Sequence, residues 1–147
     1  MVIIESGSPE DTFSAGEEMG RKVTGGTVVA LNGDLGAGKT VFTKGFAKGL
    51  GIEEDVNSPT FNILKTYSGG RLVLHHFDVY RIGDPSEMDE IGYEDCFFGD
   101  GVSLVEWADI LPEIMPPETV YIRIEKEPAR GFSYRRIEIE QAGSDER

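Results

Sequence analysis

The chain has 147 residues, enough for one domain with a substantial core and too few for two. Its net charge of −13 argues against direct, tight nucleic-acid binding, because phosphate neutralisation dominates such affinity; a role in nucleic-acid metabolism through a protein partner stays open, as does acidity for solubility alone. Hydrophobic content is 39%, no run approaches the roughly 20 apolar residues that span a bilayer, Met1–Asp11 lacks the basic and long apolar stretches of a signal peptide, and the single cysteine, Cys96, rules out an internal disulfide. Together these predict a cytoplasmic protein.

Met1–Glu5 reads as a short edge strand. Ser8-Pro9-Glu10-Asp11 reads as a helix start: Ser8 can cap, Pro9 suits the first helical position, and Asp11 sits where a capping-box acid belongs. Phe13, Gly16, Met19 or Gly20, and Val23 then mark one face, and Gly25-Gly26 ends the helix. Two glycines on that face predict close packing on the sheet.

Thr27–Leu31 is apolar and rich in β-branched residues, the pattern of a buried strand. It runs into Gly33-Asp34-Leu35-Gly36-Ala37-Gly38-Lys39-Thr40, which fits G-x-x-x-x-G-K-[ST]. Phe42, Phe46, Ala47 and Leu50 follow on one helical face, with Lys44 and Lys48 on another. Strand, glycine loop and helix in that order make a phosphate site. Glycines let successive N–H groups converge on an anion, and the helix adds its positive end. Lys39 supplies a charge for the β- and γ-phosphates and Thr40 a hydroxyl for Mg²⁺.

After the acidic loop Ile52–Asn57 comes Ser58-Pro59-Thr60-Phe61. Thr60 follows Lys39 by 21 positions, a distance at which a switch hydroxyl can sense the γ-phosphate and its metal; an ordinary loop-to-strand turn reads equally well. Phe61–Tyr67 and Leu72–Tyr80 flank Ser68-Gly69-Gly70-Arg71 and predict an antiparallel hairpin. In the second strand His76, Asp78 and Tyr80 share a face. Asp78 is thus a carboxylate on a rigid element and needs a cation, a metal-bound water or hydrogen-bond donors. His76 is open between a functional and a hydrogen-bonded structural role, and no Cys or His cluster supports a zinc site.

Pro85–Glu90 reads as a short acidic helix, and Ile91–Gly101 as a mixed segment with Tyr93, Phe97 and Phe98 packing inward. Val102–Trp107 is an apolar strand ending in Glu106. Phosphate-loop NTPases bring a second, metal-associated acid in this way, and Glu106 can hold Mg²⁺ through water or polarise the attacking water. The plainer reading is a strand-end glutamate facing solvent. Ala108–Met115 is expected as a short helix stopped by Pro116-Pro117. Thr119–Glu125 and Tyr134–Glu140 alternate polar with apolar residues and pair across Lys126–Ser133. The elements predict an α/β fold, a P-loop NTPase-like three-layer α/β/α domain over residues 1–141. Its mixed central sheet includes an antiparallel hairpin, and a polar tail covers 142–147.

GDLGAGKT, SPTF, HFDVYR and VEW, in this order, resemble the TsaE family, the bacterial tRNA threonylcarbamoyladenosine-biosynthesis ATPases. The resemblance spans nearly the whole chain, and the last three motifs are far more specific than the first. It implies a small ATPase using ATP and Mg²⁺. Its partners would be a threonylcarbamoyl transferase subunit and that subunit's inactive paralogue, with tRNA reached indirectly through their complex. By the same resemblance Leu35, Gly36, Ala37, Gly38, Lys39 and Thr40 would hold the phosphates, with Thr40 and Glu106 on the metal. Asp78 would serve the γ-phosphate region, and Asp78 and Glu106 are the catalytic candidates. Ser58 and Thr60 would form the switch, with Trp107 beside it. Arg130 and the start of the first helix would approach the nucleotide. Val41 departs from the family, which often has a second Thr there that reaches the α-phosphate. A small-molecule or nucleoside kinase is the alternative, although arginines are few and no lid insertion is evident. A nucleotide-gated binding module without hydrolysis is a further one. No N-K-x-D motif favours guanine.

Overall fold

A computed structural model describes residues 1–34, 36–57 and 63–141. The element order is β1 (Val2–Ser6), α1 (Pro9–Lys22), β2 (Val28–Asn32), α2 (Lys39–Gly49), β3 (Leu64–Tyr67), β4 (Leu74–Asp78), α3 (Ser86–Glu90), α4 (Tyr93–Phe97), β5 (Val102–Glu106), β6 (Val120–Lys126) and β7 (Arg135–Gln141). One seven-stranded sheet runs β1-β7-β6-β2-β5-β4-β3. Its middle is parallel: β2 pairs with β5 and β6, and β4 with β5. Antiparallel β7 and β1 extend one side, and the β3–β4 hairpin closes the other. The mixed sheet and the hairpin follow the expectation.

The burial pattern tells why the parallel strands sit centrally. β2 and β5 are buried at every position, as strands covered on both faces must be. On one face Val29, Leu31, Leu104 and Ile122 pack under Phe42 and Phe46 of α2 and Leu50 just after it, with Ala15 and Met19 of α1 at the margin. On the other, Val28, Ala30, Phe77 and Val105 pack under Met88 of α3 and Phe97 of α4. The result is three layers, one face covered by long helices and the other by short ones.

The first helix starts as its sequence predicts. The Ser8 side chain accepts the Asp11 N–H, Pro9 opens the helix, and the Asp11 carboxylate accepts the Gly7 N–H at 3.0 Å. The expectation that Gly16 and Gly20 pack on the sheet is corrected: they pack on α2. A Cβ on Gly16 would lie 2.2 Å from the Phe42 carbonyl oxygen, and one on Gly20 2.1 Å from that of Phe46. Gly45 and Gly49 of α2 reciprocate against the Phe13 and Glu17 carbonyls at 2.1 and 2.2 Å. Two pairs of glycines four residues apart let the two backbones touch.

Three further expectations change. Phe98 is 72% exposed, not packed, because the chain turns outward at the end of α4 while Phe97 points into the core. Ala108–Met115 forms two 3-10 turns, Ala108–Ile110 and Pro112–Ile114, in place of one helix. Pro112 lacks the N–H that a continuous helix needs. The hairpin's first strand begins at Leu64 among the described residues; Ser58 to Asn62 lie outside them.

Candidate functional site

The four parallel strands end on the same edge of the sheet, where ligands of open α/β sheets bind. β2 delivers the glycine loop there, β4 delivers Asp78, β5 delivers Glu106 and Trp107, and β6 delivers Lys126.

The loop shape depends on two glycines in particular. Gly33 has φ +148°, and a Cβ on it would lie 2.4 Å from the Ile124 carbonyl oxygen. Gly38 sits at the cap of α2 with φ 109°, in the left-handed region. No side chain caps α2 there and its first turn carries no acid, so its N–H groups face the loop as an anion site. Thr40 lies exposed in that first turn. Leu35 lies outside the described residues.

Lys39 is buried, and its Nζ donates to the Gly33 carbonyl and, at 3.3 Å, to that of Asp34. The same Nζ rests 3.6 Å above the centroid of the Trp107 ring. Burial pulls this ammonium below its ordinary pKa, while the Glu106, Asp109, Asp34 and Asp78 carboxylates oppose the shift.

Asp78 and Glu106 are direct partners in the β4–β5 register. Glu106 is 3% exposed, so the solvent-facing reading does not hold. The His76 ring donates from Nε2 to Glu106 Oε2 at 2.7 Å, giving this buried carboxylate a donor. Asp78 is half-buried and accepts the Tyr80 N–H at 3.1 Å. Burial pushes its carboxyl above the usual range and Glu106 adds to the push; the Tyr80 N–H, His76 and Lys39 pull the other way.

Trp107 has φ 62° and ψ 34°, and among the described residues no other non-glycine has positive φ. Its N–H is held by the Leu31 carbonyl at 3.1 Å, and its ring packs on Tyr80 at 4.8 Å between centroids. A bulky residue in this conformation stores strain, which the β2 contact and the two ring contacts hold in place.

Beside the loop lies a cavity of about 190 Å³, lined by Thr12, Gly36, Gly38, Val41, Phe132 and Arg135 among others. Val41 therefore presents a methyl surface to this cavity. The start of α1 also borders it through Pro9 and Thr12. Arg130 is engaged elsewhere: it pairs with Glu5 at 2.7 Å and stacks on Tyr134. The basic groups that meet the loop are others. Arg135 Nε donates to the Ala37 carbonyl at 2.9 Å, and a Cβ on Gly36 would lie 3.4 Å from Lys126 Nζ. Sequence reasoning passed over both. Only the sheet order reveals them, since it sets β6 parallel beside β2 and makes Arg135 the register partner of Lys126. Ser58 and Thr60 lie outside the described residues.

The family model described as "Threonylcarbamoyl adenosine biosynthesis protein TsaE" matches residues 6–137. The chain belongs to the TsaE family. Among its TsaE relatives, the tRNA threonylcarbamoyladenosine biosynthesis protein TsaE of Bacillus subtilis is 50% identical over 119 residues, covering 81% of this chain and 74% of the relative. The protein of the same name from Treponema pallidum is 44% identical, covering 81% and 87%. The crystal structure of Bacillus subtilis YdiB superposes with a TM-score of 0.79 at 37% identity, covering 99% of this chain and 87% of that one. The TsaE match spans the loop, both acids, Trp107 and Arg130.

The chemistry this TsaE site can support follows from its donors. Loop amides, Lys39, Lys126 and Arg135 are suited to a polyphosphate. Thr40 and Glu106 are hard oxygen donors suited to Mg²⁺. Among the described residues no group of three or more His, Cys, Asp or Glu could hold a metal, so a cation here would take further oxygens from phosphates or water.

Proposed function

We propose that the protein is a Mg²⁺-dependent ATPase that supports threonylcarbamoyladenosine formation in tRNA, the pathway for which its relatives are named. One observation carries the reading. A glycine loop and two carboxylates in direct register on adjacent parallel strands meet at one sheet edge.

In this reading Lys39 exchanges the Gly33 and Asp34 carbonyls for β- and γ-phosphate oxygens. The loop amides hold the same phosphates without reorganising. Thr40 and Glu106 would hold the magnesium, which would supply charge neutralisation on the phosphoryl oxygens. Asp78, less acidic than an ordinary aspartate, aligns the attacking water through its carboxyl. The cavity beside Gly36 and Gly38 receives the nucleoside end, with Val41 offering packing in place of a hydroxyl. Ser58 and Thr60 would complete the γ-phosphate side, and Leu35 the loop. Arg130 would join the nucleotide only after leaving Glu5.

The partners we propose are a threonylcarbamoyl transferase subunit and its inactive paralogue. With a charge of −13, the protein would act on tRNA through them. Isolated switch NTPases hydrolyse at about 10⁻⁴–10⁻² s⁻¹, and a supplied arginine adds about 10³–10⁵-fold. Steady-state ATPase with and without the two partners tests this. Slow basal turnover with strong stimulation supports the reading; equal rates count against it.

A further inference from the structure

We propose that His76 is the positioning residue for Glu106, fixing the carboxylate in the orientation that binds Mg²⁺; this rests on the ATPase reading above. The observations come from two adjacent interior strands. His76 pairs with Leu104 in the β4–β5 register, two residues behind the Asp78–Glu106 pair and on the same face, so its ring reaches diagonally forward to Glu106. His76 is 1% exposed, and the Nε2–Oε2 distance is 2.7 Å. The two backbones are locked to each other by the parallel ladder, so neither side chain can drift from the other.

The tautomer follows from the partners. Nδ1 is buried without a hydrogen-bond partner among the described residues. A proton there would be an orphaned buried donor, so the neutral ring carries its hydrogen on Nε2 and donates it to Glu106. A side chain that only filled space between β4 and β5 would need no donor. A donor aimed at a buried strand-end carboxylate selects its rotamer. Supporting hydrogen bonds of this kind hold metal-ligating side chains in place, and their loss typically costs about 10–100-fold in metal affinity or activity. Asp78 cannot take this role, because a second carboxylate offers no donor in its ionised form.

The test is ATP affinity by calorimetry, with Mg²⁺ and again with EDTA, on folded wild type, His76→Gln, His76→Asn and His76→Phe. The glutamine amide nitrogen reaches the place of Nε2; that of asparagine stops near Nδ1. Metal-free affinity is expected to be the same in all four. The Mg²⁺-dependent gain is expected to fall about 10–100-fold in His76→Phe and His76→Asn and to return in His76→Gln. In a Glu106→Gln background, His76→Phe should cost nothing further. A wild-type Mg²⁺ gain in His76→Asn and His76→Phe overturns the proposal, as does equal loss in His76→Gln and His76→Asn. If His76→Phe does not fold, the Gln and Asn pair decides. A wild type that binds ATP equally with and without Mg²⁺ overturns the ATPase reading beneath it, a result distinct from failure of the histidine variants alone.

Discussion

Replacing Gly20 or Gly45 with alanine sets two effects of opposite sign against each other. Helix propensity alone makes each change favourable by about 0.8–1 kcal/mol. The contact between α1 and α2 opposes it. The new methyl would stand 2.1 Å from the Phe46 carbonyl oxygen in one case and 2.1 Å from that of Phe13 in the other. Both obstacles are backbone atoms inside helices, so no rotamer change relieves them. The helices must separate because the obstacles are backbone atoms, so the upper part of the usual overpacking range applies, about 2–3 kcal/mol. Overpacking outweighs the propensity gain, for a net loss of about 1–2 kcal/mol, or roughly 2–8 °C in Tm for a domain this size. The effect should extend to function, because α2 carries Lys39 and Thr40 in its first turn. Thermal and urea melts of both variants, with ATP titrations on the folded protein, check this. Alanine variants as stable as wild type, or more so, would refute the close helix contact as the reason for these glycines.

Other outcomes are expected at the sheet edge. Lys39→Ala should abolish measurable ATP binding by the folded protein, read by calorimetry. Asp78→Asn should raise Tm at neutral pH while lowering hydrolysis. Asp78's folded pKa is raised by burial, so its contribution to stability is present below the ordinary aspartate range and lost as pH rises through the folded value. The gain in Asp78→Asn should therefore vanish in acid, which melts across pH will show. Trp107, the single tryptophan, should change its emission when Lys39 leaves its ring face for a phosphate. A spectrum unmoved by saturating ATP and Mg²⁺ would argue that Lys39 stays in place.

The parts of the site legible in the sequence are those written locally. Thr27–Thr40 announces strand, loop and helix because burial, glycine spacing and helical period all fall within fourteen consecutive residues. Asp78 and Glu106 are legible because each ends an apolar run. What stayed hidden depends on neighbours distant in the chain. Alternation placed His76 on the face of Asp78, but only the adjacency of β4 and β5 puts its ring on Glu106. The contacts of Lys126 and Arg135 with the loop require β6 beside β2. Gly16 and Gly20 announced a close approach without saying whether sheet or helix fills it. Pro112 is the local signal, legible in the sequence, for a break within Ala108–Met115.

Everything proposed for this sheet edge requires that it bind ATP together with Mg²⁺. Calorimetric titration of ATP into the folded protein, with Mg²⁺ present, measures that binding. Saturation near one ATP per chain is expected, with weaker binding in EDTA and loss in Lys39→Ala. No ATP uptake by well-folded wild type, alone or with the proposed partner subunits, would contradict it.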